Sequence, residues 1–168
     1  MKTYLLYTQT NFLVKGGLTL VKSKISIGSW AYTIGPYADH PIPLDEVIYK
    51  LSQLGFDGIE LGGFKPHAHP DLYPTKEDRK RLLAMLEKAK LGVSAYVPDL
   101  WAFPFASGDP KIVKAYEDMY DRSLELCVDC GFDKIRVDTV TGTPFPQDWD
   151  YQETWQRVVE MFQKLFFE

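Results

Sequence analysis

The sequence predicts an α/β fold, a (β/α) barrel, because short apolar strands alternate with amphipathic helices along the chain. Strands are predicted to begin near residues 25, 59, 93 and 134, so the unit recurs at intervals of roughly 34, 34 and 41 residues. The helix–strand junction Leu54-Gly55-Phe56-Asp57 returns as Cys130-Gly131-Phe132-Asp133. This repetition indicates consecutive parallel βα units with right-handed crossovers.

About four such units are present, whereas a complete barrel of the TIM-barrel type has eight units and about 250 residues. We therefore interpret residues 24–168 as the N-terminal half of an incomplete eight-unit barrel. The sequence leaves open whether this is a fragment, a truncated reading frame or a half that pairs with another chain. A dinucleotide-binding fold is disfavoured, because no G-x-G-x-x-G follows the first strand.

Residues 1–23 are predicted to form an N-terminal extension, disordered or loosely docked, since they show no caps and no clear period. A second hypothesis concerns the gene. Lys15-Gly16-Gly17 is what a purine-rich ribosome-binding sequence would encode, so Val21 is an alternative start in this reading.

The first unit begins with a strand at residues 25–28 and continues into a helix from about Leu44, which Gly55 is expected to end. Its predicted inward face consists of Leu44, Val47, Ile48, Leu51 and Leu54. The second strand is predicted at residues 59–61.

The second helix is predicted to begin at a capping box formed by Thr75 and Asp78 and to end at Gly92. Its expected buried stripe is Leu82, Leu83, Leu86 and Ala89. Its expected solvated residues are Lys76, Arg79, Lys80 and Lys88. The third strand is predicted at residues 93–97.

The third helix is predicted to begin at Asp109 and Pro110 and to end at Gly131, ahead of a fourth strand at residues 134–138. Its expected inward residues are Ile112, Val113, Tyr116, Met119, Tyr120, Leu124, Cys127 and Val128. Asp150 and Glu153 are predicted to start a fourth helix, whose apolar residues are Trp155, Val158, Val159 and Phe162.

Composition excludes several functional classes. A net charge of −4 and a pI near 5.4 argue against binding to nucleic acid or to an anionic membrane surface. No apolar run approaches the ~18–20 residues that span a bilayer, and no secretory signal is recognisable.

Cys127 and Cys130 cannot form a disulfide scaffold, so a cytoplasmic location is expected. They end a helix, where a redox C-x-x-C would begin one, and are predicted to be core or semi-buried residues.

Candidate site residues are those at the carboxyl ends of the strands, where β/α barrels place their active sites. Glu60 lies within an apolar strand, where a carboxylate must be paired, hydrogen-bonded or bound to a metal. The other candidates are Trp30, His67, His69, Asp99, Trp101, Arg136 and Asp138. Carboxylates, imidazoles and a guanidinium, with indoles for a sugar face to stack on, suit a polyhydroxy substrate.

Each candidate role has an alternative. Glu60 is interpreted as a general base or a group that holds substrate hydroxyls, or else as the partner of Lys24, Lys134 or Arg136 in an ion pair. His67 and His69 are either two metal ligands or ordinary residues of a rigid, exposed loop between prolines. Arg136 either clamps a phosphate or carboxylate or pairs with Asp138 or Glu60.

With these residues the chain resembles the xylose isomerase-like barrels, the sugar phosphate isomerase/epimerase group, over residues 24 to about 164. The motifs that carry the resemblance are Leu54–Leu61, Pro66-His67-Ala68-His69-Pro70, Leu91-Gly92-Val93, Pro98-Asp99-Leu100-Trp101 and Gly131–Val137. The glycine-aromatic-Asp-Gly-hydrophobic-Glu pattern is typical of this superfamily and of no single activity within it.

The resemblance implies an enzyme that transfers a proton through an enediol-like intermediate on a small sugar or sugar phosphate. It also implies a divalent metal (Mn, Mg, Co or Zn), bound by residues of later strands that this chain lacks. On that basis Glu60 is the catalytic candidate, the other seven residues bind substrate, and the chain alone is expected to be inactive. Open sheet edges favour self-association. The alternatives are an amidohydrolase-like hydrolase and a non-catalytic half-barrel interaction module.

Overall fold

The computed structural model describes residues 23–138 and 148–167. Three parallel strands form its sheet in the order β1-β2-β3: Ser26–Gly28 (β1), Gly58–Gly62 (β2) and Gly92–Val97 (β3). The described residues also form four α-helices: Leu44–Gln53 (α1), Lys76–Ala89 (α2), Pro110–Cys130 (α3) and Tyr151–Phe167 (α4). Helix α1 lies between β1 and β2, α2 lies between β2 and β3, and α3 and α4 follow β3 in the chain. The α/β fold with parallel strands is confirmed. The predicted extension lies, except for Ser23, outside the described residues.

The fourth predicted strand lies beside β3 but is limited to a single parallel bridge between Tyr96 and Ile135. The Tyr96 N–H donates to the Lys134 carbonyl at 2.9 Å, and the Arg136 N–H donates to the Tyr96 carbonyl at 2.8 Å. These two bonds place residues 134–136 in the position expected for a fourth strand.

The side chains of β2 alternate between two environments, as the pleat requires. Ile59 and Leu61 are fully buried and pack with apolar residues of α1 and α2. Glu60 lies between them and therefore projects from the opposite face of the sheet. That face is the interior side of a β/α barrel, because the helices of such a barrel form its outer ring.

The helix faces confirm most of the predicted core. Leu44, Val47, Ile48 and Leu51 of α1 are all buried. The inward assignment of Leu54 is wrong: it follows the last residue of α1 and is 61% exposed. Leu124 and Val128 were also assigned inward and are exposed, and Trp155, predicted only as an apolar residue of the fourth helix, is exposed as well. The buried residues of α3 instead recur three or four positions apart, as Tyr116, Met119, Tyr120, Ser123, Leu126, Cys127 and Cys130.

Arg79 departs from the prediction that it is solvated, because it is only 5% exposed. Its guanidinium donates to the Asp129 carboxylate at 2.5 Å, to Glu125 at 3.3 Å and to the Tyr73 carbonyl at 3.2 Å. The charge is tolerated there because three acceptors replace the water that burial removes. Arg79 thus joins α2 to α3.

The helix ends follow local chemistry, with one exception. Thr75 and Asp78 form the predicted reciprocal capping box of α2. Gly131 ends α3 in the left-handed conformation, with φ of 68°. The prediction that Gly92 ends α2 is wrong: Lys90 adopts the left-handed conformation, with φ of 57°, and Gly92 opens β3.

The two cysteines have free, buried thiols, as predicted. Burial, with a smaller contribution from the neighbouring thiol, raises the pKa of Cys127 to about 12, and burial raises that of Cys130 to about 11. Within residues 23–138 and 148–167, no helix has the length and apolar character needed to cross a membrane.

Candidate functional site

Glu60 is held by residues from two other elements. The Trp30 indole Nε1–H donates to Glu60 Oε2 at 2.7 Å. Arg136 Nη1 lies 3.2 Å from Oε2 and 3.3 Å from Oε1. The ion-pair partner is therefore Arg136, and Lys134 pairs instead with Asp133. The Glu60 side chain remains 20% exposed.

Arg136 brings a second carboxylate into this group. Its Nη2 lies 3.4 Å from Asp138 Oδ2, and its Cζ lies 5.5 Å from the centroid of the Trp30 ring. Its Nε is buried without a hydrogen-bond partner. The guanidinium therefore covers one face of the indole, a cation–π arrangement. Trp30 was predicted to offer its ring for a sugar to stack on, and the face covered by Arg136 does not serve that role.

Three residues shape the space that the Trp30 side chain occupies. A Cβ on Gly28 would lie 2.2 Å from the indole Nε1, and one on Gly62 would lie 3.0 Å from the Trp30 Cβ. The Ser29 hydroxyl accepts the Gly62 N–H at 2.8 Å, which joins β2 to the segment after β1. A side chain at position 28 would therefore displace the indole from Glu60, whereas one at position 62 would require a shift of a few tenths of an ångström.

The two histidines lie in buried surroundings, so the prediction of an exposed loop is wrong. His67 is fully buried, and its Nε2–H donates to the Ile42 carbonyl at 2.8 Å. Burial lowers the pKa of His67, although the bond to Ile42 opposes this shift. The loop folds inward because the Ala68 N–H donates to the Gly62 carbonyl and the Tyr96 hydroxyl donates to the Ala68 carbonyl.

His69 has a defined neutral tautomer. Its Nδ1 accepts the Asp71 N–H at 3.1 Å, so its proton is on Nε2. The Asp71 carboxylate lies 3.5 Å from the same Nδ1, but the lone pair there is already used. Burial lowers the pKa of His69, and this outweighs the opposing effect of Asp71.

A cavity of about 420 Å³ lies at the carboxyl ends of the strands, and we name it the His69 cavity. Segments that follow β1, β2 and β3 all contribute to its wall, together with one residue of α3. Its wall includes Phe64, Lys65, His69, Asp99, Phe103 and Met119. Burial raises the pKa of Asp99, and Lys65 opposes that shift.

The eight predicted site residues thus separate into groups. Arg136 contacts Trp30, Glu60 and Asp138, Trp30 also bonds to Glu60, and we name these four residues the Glu60 group. His69 and Asp99 line the His69 cavity. His67 is buried against Ile42, and Trp101 is 51% exposed.

Sequence reasoning missed Lys65, Asp71 and the phenylalanines of the cavity. Lys65 and Asp71 bracket the histidine motif, so opposite charges at its two ends were the available signal. They pair at 2.6 Å. Gly28 and Ser29 were missed as well, because only the strand register shows what they contact.

A metal site requires several His, Cys, Asp or Glu side chains close together. Within residues 23–138 and 148–167, no group of three or more His, Cys, Asp or Glu side chains is placed to hold a metal ion. One nitrogen of each histidine already bonds to the backbone. The described residues therefore do not fit a divalent metal.

Parallel strands joined by helices, with polar side chains at the carboxyl ends of the strands, define a protein of the β/α-barrel class. The chain belongs to the xylose isomerase-like TIM barrel family, whose model matches residues 48–168.

Curated relatives and a solved structure agree with this assignment. Fructoselysine 3-epimerases of Escherichia coli O157:H7 and Shigella flexneri are each 27% identical over 88 residues, which is 51% of this chain and 31% of theirs. A crystal structure of D-psicose 3-epimerase with D-tagatose, from Clostridium cellulolyticum H10, matches with a TM-score of 0.57 at 20% identity. That match covers 85% of this chain and 47% of that one. The chain thus spans less than half the length of the proteins it matches.

Proposed function

We propose that this chain carries part of the active site of a sugar isomerase or epimerase. The observation that supports the proposal is the Glu60 carboxylate, which projects from the interior face of β2 and is oriented by Trp30 and Arg136. Family membership and the 3-epimerase relatives point to the same chemistry. In that reaction a proton leaves the carbon beside a carbonyl, an enediol-like intermediate forms, and a proton returns to carbon.

The two oxygens of Glu60 are not equivalent, and this identifies the atom that would handle the proton. Oε2 accepts from Trp30 at 2.7 Å and from Arg136 at 3.2 Å. Oε1 has one longer contact, at 3.3 Å. A carboxylate has about four lone-pair sites, so Oε1 has capacity to accept a substrate proton or to hold a substrate hydroxyl.

The remaining members of the Glu60 group have supporting roles in this proposal. Arg136 is shared between Glu60 and Asp138, so a phosphate there would compete with two carboxylates for its charge. We therefore assign Arg136 to orienting Glu60, and Asp138 to restraining Arg136. Metal dependence stays a family expectation, because the described residues do not fit a metal.

Hydrogen exchange tests this proposal directly. The protein is incubated in D₂O with a ketohexose, with and without added Mn²⁺, and deuterium beside the carbonyl is measured by NMR. Glu60→Gln should lower the exchange rate at least ~10²-fold, the usual contribution of a general acid–base group. Glu77→Gln, on an exposed carboxylate of α2, is the matched control and should change nothing.

Exchange in Glu60→Gln at the parent rate would contradict the proposal. Exchange in neither protein would match the expectation that this chain alone is inactive and would leave the non-catalytic interaction module as the alternative. The amidohydrolase alternative loses its basis, because its histidine pair is buried and bonded to backbone groups.

We also propose self-association through the sheet edge. Among the described strands β1 is terminal in the sheet order, and the neighbouring Ile25 side chain is 59% exposed. Unprotected edges with apolar residues promote pairing between chains. Sedimentation analysis should show oligomers that Ile25→Lys weakens, and a monodisperse parent monomer would refute this. A cytoplasmic location remains a prediction.

A further inference from the structure

The His69 cavity contains chemistry that the Glu60 group does not use. Neither Glu60, Trp30 nor Arg136 lines it, yet it opens at the same end of the sheet. Phe64 follows Glu60 by four residues. Asp99 follows Ala95, the register partner of Glu60, by four residues as well. Four residues span at most about 14 Å, so one extended ligand can reach both the Glu60 group and the His69 cavity.

The polar groups of the cavity include one neutral donor and one acceptor. The tautomer of His69 leaves its Nε2–H as a donor, because Nδ1 already accepts the Asp71 N–H. Asp99 supplies carboxyl oxygens beside Lys65. A hydroxyl group can donate or accept, so the hydroxyl groups of one ligand suit both His69 and Asp99. Phe64 and Phe103 add apolar wall for the C–H groups of such a ligand.

The charges of the cavity disfavour an anion. Lys65 is the cation in its wall, and its ammonium is bonded to Asp71 at 2.6 Å. Asp71 is bonded to Arg122 as well, at 2.5 Å. The hydrogen bonds from Lys65 and Arg122 hold the pKa of Asp71 well below its usual range, so this carboxylate stays charged. The Asp71 and Asp99 carboxylates would repel a phosphate, and the Lys65 ammonium is already paired with Asp71.

We propose that the His69 cavity binds an uncharged, hydroxylated part of the substrate, remote from the carbons that react at Glu60. Donor, acceptor and apolar wall are all supplied by segments that follow strands, and the volume of about 420 Å³ is ample for such a group. The inference rests on the proposed function for the existence of a sugar substrate. It narrows that substrate to one without a phosphate at this position.

The test follows the His69 cavity and the Glu60 group by two separate NMR signals. Met119 lines the cavity, so its methyl signal, in protein labelled with [¹³C]methyl methionine, reports binding there. The Trp30 indole N–H signal reports the Glu60 group. D-fructose, D-fructose 6-phosphate and inorganic phosphate are titrated separately. We expect a saturable shift of the Met119 methyl with D-fructose and none with inorganic phosphate.

Substitutions then test the chemistry. Asp99→Asn should weaken the Met119 response to D-fructose about tenfold, the effect of losing a hydrogen bond to a charged acceptor. Lys65→Met should leave the Met119 response to D-fructose within about twofold of that of the parent protein. Asp133→Asn is the matched control on an exposed carboxylate. Glu60→Gln should retain the Met119 shift, so loss of catalysis and loss of cavity binding are distinguishable.

Three results would overturn the inference. The first is a D-fructose titration in which Met119 does not shift, whether or not Trp30 does. The second is tighter binding of phosphate or D-fructose 6-phosphate that Lys65→Met abolishes, which would make the cavity an anion site. The third is an Asp99→Asn variant with parent affinity and a parent melting curve.

Discussion

The Trp30 indole donates a 2.7 Å hydrogen bond to Glu60 from a position thirty residues earlier in the chain. This bond joins the segment after β1 to the centre of β2 and orients the carboxylate that faces the barrel interior. Arg136 completes the arrangement by contacting both residues. The orientation of Glu60 therefore depends on a donor whose own position is restricted by its neighbours.

Trp30→Phe should reduce stability by about 1–2 kcal/mol, because it removes a hydrogen bond to a carboxylate and keeps the ring beside Arg136. Urea unfolding followed by circular dichroism measures this loss. Trp155→Phe is the matched control, since Trp155 is 56% exposed on α4, and it should shift the midpoint little. Equal effects of the two substitutions would show that the Glu60 bond contributes nothing.

Gly28→Ala should displace the indole, because the added Cβ would lie 2.2 Å from Nε1. We expect a stability loss of about 1–3 kcal/mol, typical of an overpacked site. The Trp30 indole N–H signal in NMR should also move upfield. Gly92→Ala is the control, since a Cβ there would make an ordinary 3.7 Å contact with the Asp57 carbonyl. An unchanged indole signal in Gly28→Ala would contradict the proposed restriction.

Arg79→Met should cost about 3 kcal/mol, because it leaves the largely buried Asp129 carboxylate without its closest partner. Lys80→Met, on the adjacent and 75% exposed side chain, should cost less than about 0.5 kcal/mol. Denaturant unfolding of both variants checks the difference. A loss in Arg79→Met no larger than in Lys80→Met would mean that Arg79 does not join α2 to α3 energetically.

Lys90→Gly should stabilise the protein by about 0.5–1 kcal/mol, because Lys90 adopts a left-handed conformation that glycine adopts without strain. Lys88→Gly, two residues earlier and within α2, should destabilise it by about 1 kcal/mol. The same substitution thus has opposite signs at neighbouring positions. Thermal unfolding of the two variants measures both, and a destabilised Lys90→Gly would refute the assigned end of α2.

The buried thiols should make stability fall at alkaline pH. In the unfolded chain they ionise near the ordinary pKa of 9.0, whereas the folded values are about 12 for Cys127 and about 11 for Cys130. The folded state resists ionisation, so this contribution is complete below about pH 9 and is lost as the pH rises from there. Urea midpoints at pH 8 and pH 10 measure the decline.

A Cys127→Ala/Cys130→Ala variant is the control and should show a smaller decline over the same interval. Iodoacetamide should leave both thiols of the folded protein unmodified at pH 8 and label both in urea. Rapid labelling of either thiol in the folded protein would contradict its burial.

Several features of the fold could be predicted because they depend on residues close together in sequence. The apolar stripe of α1, the capping box at Thr75 and the glycine after α3 follow from spacing and backbone preference alone. The errors at Leu124 and Val128 have a local origin too. Apolar residues on both sides of the true stripe left the orientation of α3 undetermined until its packing was known.

The sequence by itself determined the parallel βα order, the family pattern and the presence of Glu60 in a buried strand. Only the tertiary structure decided that Glu60 pairs with Arg136, seventy-six residues away, and that the histidine loop is buried. The physical reason is that partner choice and burial depend on strand register and on contacts between distant elements. Periodicity and turn chemistry record neither of these.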